Sequence, residues 1–453
     1  MKFLNRKEER ARLNRNLQSK ESRFIVIYGR RRCGKSTLIK KVLNDSDIYF
    51  LADMTESTHQ ISLLARDIAY RIPGFDNVVY PNWEAIFENL NARLQEKITL
   101  CLDEFPYLVK SSPTLPATIQ KIIDNKLNSN FNLVICGSSQ QLMQGLVFDK
   151  AEPLFGRADE ILKIRPMKIA YLKEMLNCDS ISAIEEYAVW GGVPRYWELR
   201  SRENSLDEAL LYHVLSPFGI LYDEPMRLFV DDMRDTVQAS TILSVIGNGV
   251  NRMSEIASRM NKPATNLSSP LERLIMLGYI ERELPYSESI KNSKKSLYKI
   301  SDPFLDFYFT FVVPNRSLIE LERNQQVLSL VKQQFNRYVS LHWESLCRQA
   351  VPAMEIDGIL FKEASRWWGS VGKDKSIELD VVSESVCGKY ILIGECKWSD
   401  NENVESLLQE LSVKAELLPF IKDKIVIKRL FLKSSSNNSD AVVRPDDVIQ
   451  FLS

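Results

Sequence analysis

The chain has 453 residues, a length typical of about two to four domains. It carries 59 Lys and Arg residues against 59 Asp and Glu residues, which excludes a global basic surface and restricts any nucleic-acid contact to local patches. It has no run of about twenty apolar residues, and the segment MKFLNRKEER lacks the apolar core of a signal peptide, which predicts a cytoplasmic protein without membrane contact. Seven cysteines without a CxxC pair and three histidines without ligand spacing argue against a His-based zinc site.

The first motif lies between a strand-like run at residues 24–28 and a helix predicted to begin near Lys35. Its loop fits GxxxxGK[ST], in which glycines let successive backbone N–H groups face a phosphate chain. Lys35 then reaches the β- and γ-phosphates of ATP, and the Ser36 hydroxyl ligates Mg²⁺. The predicted nucleotide contacts are Gly29, Arg30, Arg31, Arg32, Cys33, Gly34, Lys35, Ser36 and Thr37. The alternative is a Gly-rich turn with an exposed lysine.

The second motif is a buried strand, residues 98–102, that ends in Asp103 and Glu104. In a nucleotide site, Asp103 holds Mg²⁺ through water, and Glu104 orients or deprotonates the attacking water. The alternative is a solvated strand end. Because both acidic residues follow the same strand, the pair predicts ATP hydrolysis as well as ATP binding.

Two further residues are candidates for contact with the γ-phosphate. Ser138 ends the strand-like segment FNLVICGSS, on a strand expected beside the Asp103 strand, and the alternative is an ordinary turn serine. Arg157, in PLFGRADEI, could meet the γ-phosphate from a lid or from a neighbouring subunit of a homo-oligomer. For Arg157 the alternative is a structural salt bridge.

Together these segments resemble the archaeal-type P-loop ATPases of the AAA-related, signal-transduction-ATPase-like group. The matching pieces are GRRRCGKST, LCLDE, CGSSQQLM, PLFGRA and WGGVPRYW, within about residues 1–230. The resemblance implies a P-loop α/β sandwich with a parallel sheet over residues 1–165 and a helical lid over residues 166–232. It also implies that Ser138 and Arg157 sense the γ-phosphate.

Residues 233–312 predict three helices followed by two strands, which is the order of a winged helix. The third helix of such a module commonly enters a DNA major groove. The predicted hairpin tip carries four lysines suited to phosphate contacts: Lys291, Lys294, Lys295 and Lys299. Because Arg273 is the only positive charge on the third helix, with Glu272 beside it, protein docking is the alternative to DNA binding.

The C-terminal region, residues 325–453, predicts a helix with Glu344 followed by two strands. Asp380 lies in the strand IELDVV, and the strand ILIGECKW carries Glu395 and Lys397 on one face. Hydrolysis of a phosphodiester needs carboxylates that bind Mg²⁺ and a lysine that stabilises negative charge. A buried Glu–Lys pair without such a task costs desolvation energy.

This arrangement resembles the restriction-endonuclease-like PD-(D/E)XK superfamily, and also the domain of unknown function often fused to archaeal-type ATPases. The resemblance implies an α/β domain with Asp380, Glu395 and Lys397 as catalytic residues, and it supports Glu344, Asp380 and Glu395 as metal ligands. The alternative is a structural ion pair on an unrelated fold. The predicted function is a Mg²⁺-dependent ATPase whose nucleotide state gates a DNA-binding or DNA-cleaving domain. The competing prediction is a non-nuclease switch that only binds nucleic acid or a protein.

Overall fold

The structure, a computed structural model, describes residues 5–124, 130–233, 235–289, 295–372, 376–435 and 439–453. It divides into two compact units. The first comprises Met1–Pro166 and Val230–Arg234, and the second comprises Met167–Phe229 and Asp235–Ser453. Within the described residues, no helix is both long enough and apolar enough to span a bilayer.

The first unit is built from one sheet and the helices that cover it. Its strands are β1 (Phe24–Tyr28), β2 (Ile48–Leu51), β3 (Ile98–Asp103), β4 (Phe131–Gly137) and β5 (Glu160–Lys163). Its helices are α1 (Lys7–Leu17), α2 (Lys35–Lys40), α3 (Ser57–Ala69), α4 (Trp83–Arg93), α5 (Phe105–Ser111), α6 (Leu115–Asp124) and α7 (Gln140–Phe148).

The five strands run parallel in the order β2-β3-β4-β1-β5. Every residue of β1, β3 and β4 is buried, as expected of parallel strands with helices on both faces. Because β4 lies between β1 and β3, the segments that follow these three strands meet at one edge of the sheet. The predicted α/β fold with a parallel sheet is confirmed.

The chain beyond residue 166 begins with a helical region that continues into a short hairpin. Its helices are α8 (Ile169–Leu176), α9 (Ser180–Trp190), α10 (Pro194–Arg200), α11 (Leu206–His213), α12 (Glu224–Asp232), α13 (Thr236–Gly247), α14 (Met253–Arg259) and α15 (Ser268–Met276). The hairpin strands are β6 (Ile280–Glu283) and β7 (Leu297–Ile300), and the helices α16 (Pro303–Phe307), α17 (Arg316–Glu320) and α18 (Asn324–Ala350) follow.

The remaining elements form the C-terminal sheet and its cover. They are β8 (Glu355–Ile356), β9 (Ile359–Leu360), β10 (Ser365–Ser370), β11 (Ser376–Glu384), β12 (Tyr390–Lys397), α19 (Val404–Glu416), β13 (Ile425–Leu432), β14 (Val442–Val443) and α20 (Pro445–Phe451). Helix α9, predicted as part of a lid, packs on α16 and α18, so it belongs to the second unit.

Helices α13, α14 and α15 followed by the antiparallel hairpin β6–β7 have the order expected of a winged helix. The winged-helix assignment itself stays a prediction. Of the predicted basic tip, Lys291 and Lys294 lie outside the described residues. Lys295 forms an ion pair with Glu288 (2.8 Å), and Lys299 pairs with acidic side chains on β6.

The C-terminal sheet has the strand order β10-β11-β12-β13-β14. Strands β10, β11 and β12 are antiparallel, whereas β12, β13 and β14 are parallel, with α19 crossing between β12 and β13. The predicted helix that carries Glu344 is α18, which is continuous over 27 residues. An α/β sheet domain is therefore present where the sequence predicts one.

Candidate nucleotide site and carboxylate pocket

The loop between β1 and α2 has the backbone geometry that its glycines predict. Gly29 has φ 151°, and a Cβ there would overlap the carbonyl oxygen of Ile164. Gly34 begins the turn into α2 with φ 85°. The Lys35 Nζ donates hydrogen bonds to the backbone oxygens of Gly29 (2.9 Å) and Arg30 (3.1 Å), so its charge lies over the loop.

The predicted nucleotide contacts all lie in this loop or in the first turn of α2. Arg6, a residue that the motif did not indicate, forms a hydrogen bond with the loop. Its Nη2 donates to the carbonyl oxygens of Cys33 (3.1 Å) and Arg165 (2.6 Å). Burial raises the pKa of the Cys33 thiol, which therefore stays protonated.

Asp103, at the end of β3, faces Ser36. The Ser36 hydroxyl (2.6 Å) and the Tyr49 hydroxyl (2.5 Å) both donate to Oδ2, and the Glu104 backbone N–H donates to Oδ1 (2.9 Å). Burial alone would raise the pKa of Asp103, but these hydrogen bonds and one from Cys136 lower it. Asp103 is thus a carboxylate beside the Ser36 hydroxyl, as a Mg²⁺ site requires.

Tyr49 is a member of this cluster that sequence reasoning missed. Burial and the hydrogen bond to Asp103 raise the pKa of Tyr49, so its hydroxyl remains a donor. Tyr49 lies in β2, and no local motif surrounds it. Its contact with Asp103 depends on the pairing of β2 with β3, in which Leu51 is aligned with Asp103.

Glu104 and Ser138 lie together, as expected of residues that follow adjacent strands. Ser138 Oγ lies 2.9 Å from Glu104 Oε2, and its backbone N–H lies 3.3 Å from the same oxygen. Glu104 has φ 53°, a left-handed conformation that is uncommon for a residue other than glycine and recurs at functional sites. The serine thus fixes the carboxylate predicted to orient water.

Arg157 forms a bidentate ion pair with Asp124. Its Nε lies 2.9 Å from Oδ1 and its Nη2 3.1 Å from Oδ2, while Nη1 donates to the Pro153 carbonyl (2.9 Å). These contacts match the structural alternative named for this arginine. A contact with the γ-phosphate would require the pair with Asp124 to open.

Replacing Lys35 with Ala is expected to weaken ATP binding by about tenfold to a hundredfold, because it removes the buried ammonium that is predicted to contact phosphate oxygens. The measurement is isothermal titration calorimetry with ATP and Mg²⁺. Lys41→Ala, at the exposed end of the same helix, is the control and should bind ATP like the unmodified chain. Equal affinities for Lys35→Ala and the control would contradict the assignment.

The four residues predicted in the C-terminal region line one cavity of about 550 Å³. Glu344 comes from α18, Asp380 from β11, and Glu395 and Lys397 from β12. Three further charged side chains line it, namely Lys414 of α19, Arg337 and Glu378. We use the name carboxylate pocket for this cavity, and specifically for Glu344, Asp380, Glu395, Lys397 and Lys414 in its wall.

Glu395 lies between two ammonium groups. Lys397 Nζ is 3.0 Å from Oε1, and Lys414 Nζ is 2.7 Å from Oε2. Sequence reasoning missed Lys414, although a signal exists. Lys414 follows the buried Leu407 and Leu411 at helical spacing, so it lies on the stripe of α19 that faces the sheet.

The other two carboxylates are held in an environment that disfavours their charge. Burial, and then the charge of Glu395, raises the pKa of Asp380, although its Oδ2 accepts the Cys396 N–H at 2.9 Å. Burial and the charge of Asp380 raise the pKa of Glu344, against the opposing effects of Arg348 and other cations. A divalent cation among such oxygen donors would relieve this repulsion, so the donor set suits Mg²⁺.

The three carboxylates are nevertheless not positioned to coordinate one metal ion together. Among the described residues, no three side chains of His, Cys, Asp or Glu are arranged to hold a metal ion. Both oxygens of Glu395 already contact lysines. A metal ion here would therefore have fewer protein ligands than the three predicted, or would bind after Glu395 has moved.

A second charged network connects the hairpin to the carboxylate pocket. Glu283 of β6 lies 3.1 Å from Lys299, 3.5 Å from Arg348 and 3.1 Å from Arg366. Burial would raise the pKa of Glu283, but these three cations lower it. Arg348 also lies 3.7 Å from Glu344, so one arginine contacts both the hairpin carboxylate and the pocket carboxylate.

Comparison with known proteins identifies the class to which this fold and nucleotide site belong. Residues 3–196 match the model of an ATPase domain predominantly from Archaea, and residues 308–407 match a family of archaeal and bacterial proteins of unknown function. The chain belongs to this family of archaeal ATPases and is itself an ATP-binding ATPase. Both family resemblances expected for the ATPase half and the fused domain are confirmed, whereas the PD-(D/E)XK assignment stays a prediction.

The chain is similar to several proteins from archaea. It is 30% identical over 435 residues to the protein MJECL04 of Methanocaldococcus jannaschii, with 92% of both chains covered. Over 46 residues it is 48% identical to the ATP-binding protein MJ0423 of the same organism, covering 10% of this chain and 78% of that protein. The Walker-type ATPase PABY2304 of Pyrococcus abyssi superposes with a TM-score of 0.54 at 21% identity, covering 68% of this chain and 96% of that one. This last likeness concerns the fold alone.

Proposed function

We propose that the nucleotide state of the first unit controls a second unit that acts on nucleic acid, with residues 325–453 binding or cleaving DNA in the presence of Mg²⁺. The observation that carries the proposal is the carboxylate pocket. Glu344, Asp380, Glu395 and Lys397 come from three separate elements and line one cavity, although burying these charges together is costly. Such a cost is typical of functional sites.

In the ATPase half, each residue of the site has a separate task. Lys35 neutralises the β- and γ-phosphates, and Ser36 and Asp103 hold the Mg²⁺ that accompanies ATP. Glu104, fixed by Ser138, orients the attacking water and accepts its proton. Tyr49 keeps Asp103 ionised and oriented through its hydrogen bond.

In the carboxylate pocket, Asp380 and Glu395 would hold Mg²⁺, with Glu344 as a further ligand. A bound Mg²⁺ supplies charge neutralisation and lowers the pKa of a water molecule. Lys397 stabilises the negative charge that develops on the phosphate in the transition state. The hairpin β6–β7 and the helix α15 would add contacts to the DNA backbone.

The test is a cleavage assay on the full chain with duplex DNA, RNA and Mg²⁺ or Mn²⁺. We expect Glu395→Ala and Lys397→Ala to lower cleavage by roughly a hundredfold or more, because the first removes a proposed Mg²⁺ ligand and the second removes the ammonium that stabilises charge on the phosphate. ATPase activity should be unchanged in both. Glu410→Ala, exposed on α19, is the matched control and should cleave normally.

Control by nucleotide is tested in the same assay by comparing ATP, ADP and no nucleotide. The three conditions should give different cleavage rates, or different DNA affinities, and Lys35→Ala should remove the difference. Absence of cleavage with every substrate and metal would reject the nuclease part. If neither cleavage nor DNA affinity depends on the nucleotide, the proposal that nucleotide state controls the second unit is rejected.

A second function is favoured by one specific observation, the pairing of both Glu395 oxygens with lysines. A pocket with Glu395 so occupied suits a switch that binds nucleic acid or a protein without cutting it. In that case the unmodified chain binds DNA in a nucleotide-dependent manner and leaves it intact. The cleavage assay therefore separates the two functions.

A further inference from the structure

Lys414 is the charged residue of the carboxylate pocket that has no role in the mechanism above. Its side chain is 26% exposed, and its Nζ contacts Glu395 Oε2 at 2.7 Å. Lys397 occupies the other oxygen of the same carboxylate. Both carboxylate oxygens of Glu395 are therefore paired with a lysine.

A metal ion that takes Glu395 as a ligand competes with these two ammonium groups for the charge of the same carboxylate. Lys397 belongs to the same strand as Glu395, two residues further on, so the two side chains point to the same face and stay close together. Lys414 instead reaches the carboxylate from α19, and the Glu395–Lys414 pair is the one that metal binding breaks more readily. The ammonium of Lys414 then loses its counter-ion while it still lines the cavity.

We propose that Lys414 is a phosphate-binding residue of the carboxylate pocket, and that its ion pair with Glu395 closes the pocket to metal until nucleic acid is present. The inference rests on the proposed function, namely that the pocket binds metal and nucleic acid. An ammonium that has left its carboxylate gains a new counter-ion in a backbone phosphate. The same movement frees Glu395 for the metal.

This exchange makes metal and nucleic acid bind cooperatively. Each favours the state in which the Glu395–Lys414 pair is broken, so each must raise the affinity of the other by the same factor. A residue that merely supports the fold would not produce opposite changes in the two affinities. Removal of the Lys414 charge should strengthen metal binding and weaken DNA binding.

The experiment uses the full chain without nucleotide and compares Lys414→Gln with the unmodified protein. Mn²⁺ affinity is measured by electron paramagnetic resonance without DNA, and duplex affinity by fluorescence anisotropy with and without Ca²⁺. We expect Lys414→Gln to bind Mn²⁺ about tenfold more tightly, since a competing positive charge is removed. We expect it to bind the duplex about threefold to tenfold more weakly and to lose most of the Ca²⁺ dependence.

Two further variants keep the test specific. Lys428→Gln is the matched control, because Lys428 contacts α19 through Ser412 (2.7 Å) and does not line the pocket. Both of its affinities should equal those of the unmodified chain. Lys414→Arg keeps the charge and should retain duplex affinity. This variant shows whether weaker binding by Lys414→Gln results from the lost charge or from a folding defect.

Two results would overturn the inference, and they differ in what else they affect. If the unmodified chain binds Mn²⁺ and DNA while Lys414→Gln matches it in both affinities, the inference fails and the proposed function stands. If the unmodified chain binds neither Mn²⁺ nor DNA, both fail.

Discussion

Replacing Glu104 with Gln is expected to leave ATP binding intact and to slow ATP hydrolysis by roughly a hundredfold to ten-thousandfold. The amide keeps the shape of the side chain and can still interact with Ser138, but it cannot accept a proton from water. Because Lys35, Ser36 and Asp103 are unchanged, the nucleotide contacts survive. The variant should therefore accumulate bound ATP.

The measurement combines a steady-state assay of phosphate release with chromatography of the nucleotide that copurifies with the protein. Glu84→Gln is a suitable control, since Glu84 forms a surface pair with Lys121 and both side chains are well exposed. That variant should hydrolyse ATP at the normal rate. Rapid turnover by Glu104→Gln would mean that another group activates the water.

The geometry of the candidate nucleotide site could be predicted because its residues lie in short, local segments. A strand, a Gly-rich loop and a helix predict the shape of the loop, and two acids after a buried strand predict the carboxylates beside it. Tyr49 could not be found in this way, because its contact with Asp103 requires the pairing of β2 with β3. The ion pair of Arg157 could not be predicted for the same reason, since its partner Asp124 lies 33 residues away in the chain.

In the C-terminal region, too, local features could be predicted from the sequence and long-range contacts could not. The apolar run at residues 391–394 was enough to predict the strand, and the two-residue spacing of Glu395 and Lys397 was enough to predict that they lie on one face. The contact between Lys414 and Glu395 needs the packing of α19 on the sheet, and the contact of Glu283 with Arg348 needs the hairpin to meet α18. Contacts of this kind depend on tertiary structure, and local patterns carry little information about them.

Replacing Glu283 with Ala is expected to lower the free energy of unfolding of the second unit by about 3–5 kcal/mol. Its carboxylate is 12% exposed and balances the nearly buried Arg348 and the partly buried Arg366. Removal leaves the Arg348 and Arg366 guanidinium groups without one of their carboxylate partners in a largely buried site. Urea denaturation, followed by tryptophan fluorescence, measures the loss.

The matched control is Glu281→Ala on the same strand. Glu281 pairs with Lys299 at 2.9 Å, but its side chain is 46% exposed, so its loss should cost about 1 kcal/mol or less. Equal destabilisation by the two variants would show that the Glu283 network contributes no more than a surface ion pair.

The contribution of Glu283 should also depend on pH in a defined direction. Its cationic partners lower its pKa in the folded protein below the unfolded value of about 4.3. A lowered pKa gives stability that is present above the unfolded value and is lost as the pH falls through the folded value. The difference in unfolding free energy between the unmodified chain and Glu283→Ala should therefore be constant near neutral pH and shrink below about pH 4. Because burial and the charge of Asp380 raise the pKa of Glu344, that carboxyl becomes neutral before Glu283 as the pH falls, so Glu283 is then the charged carboxylate of the two that contact Arg348.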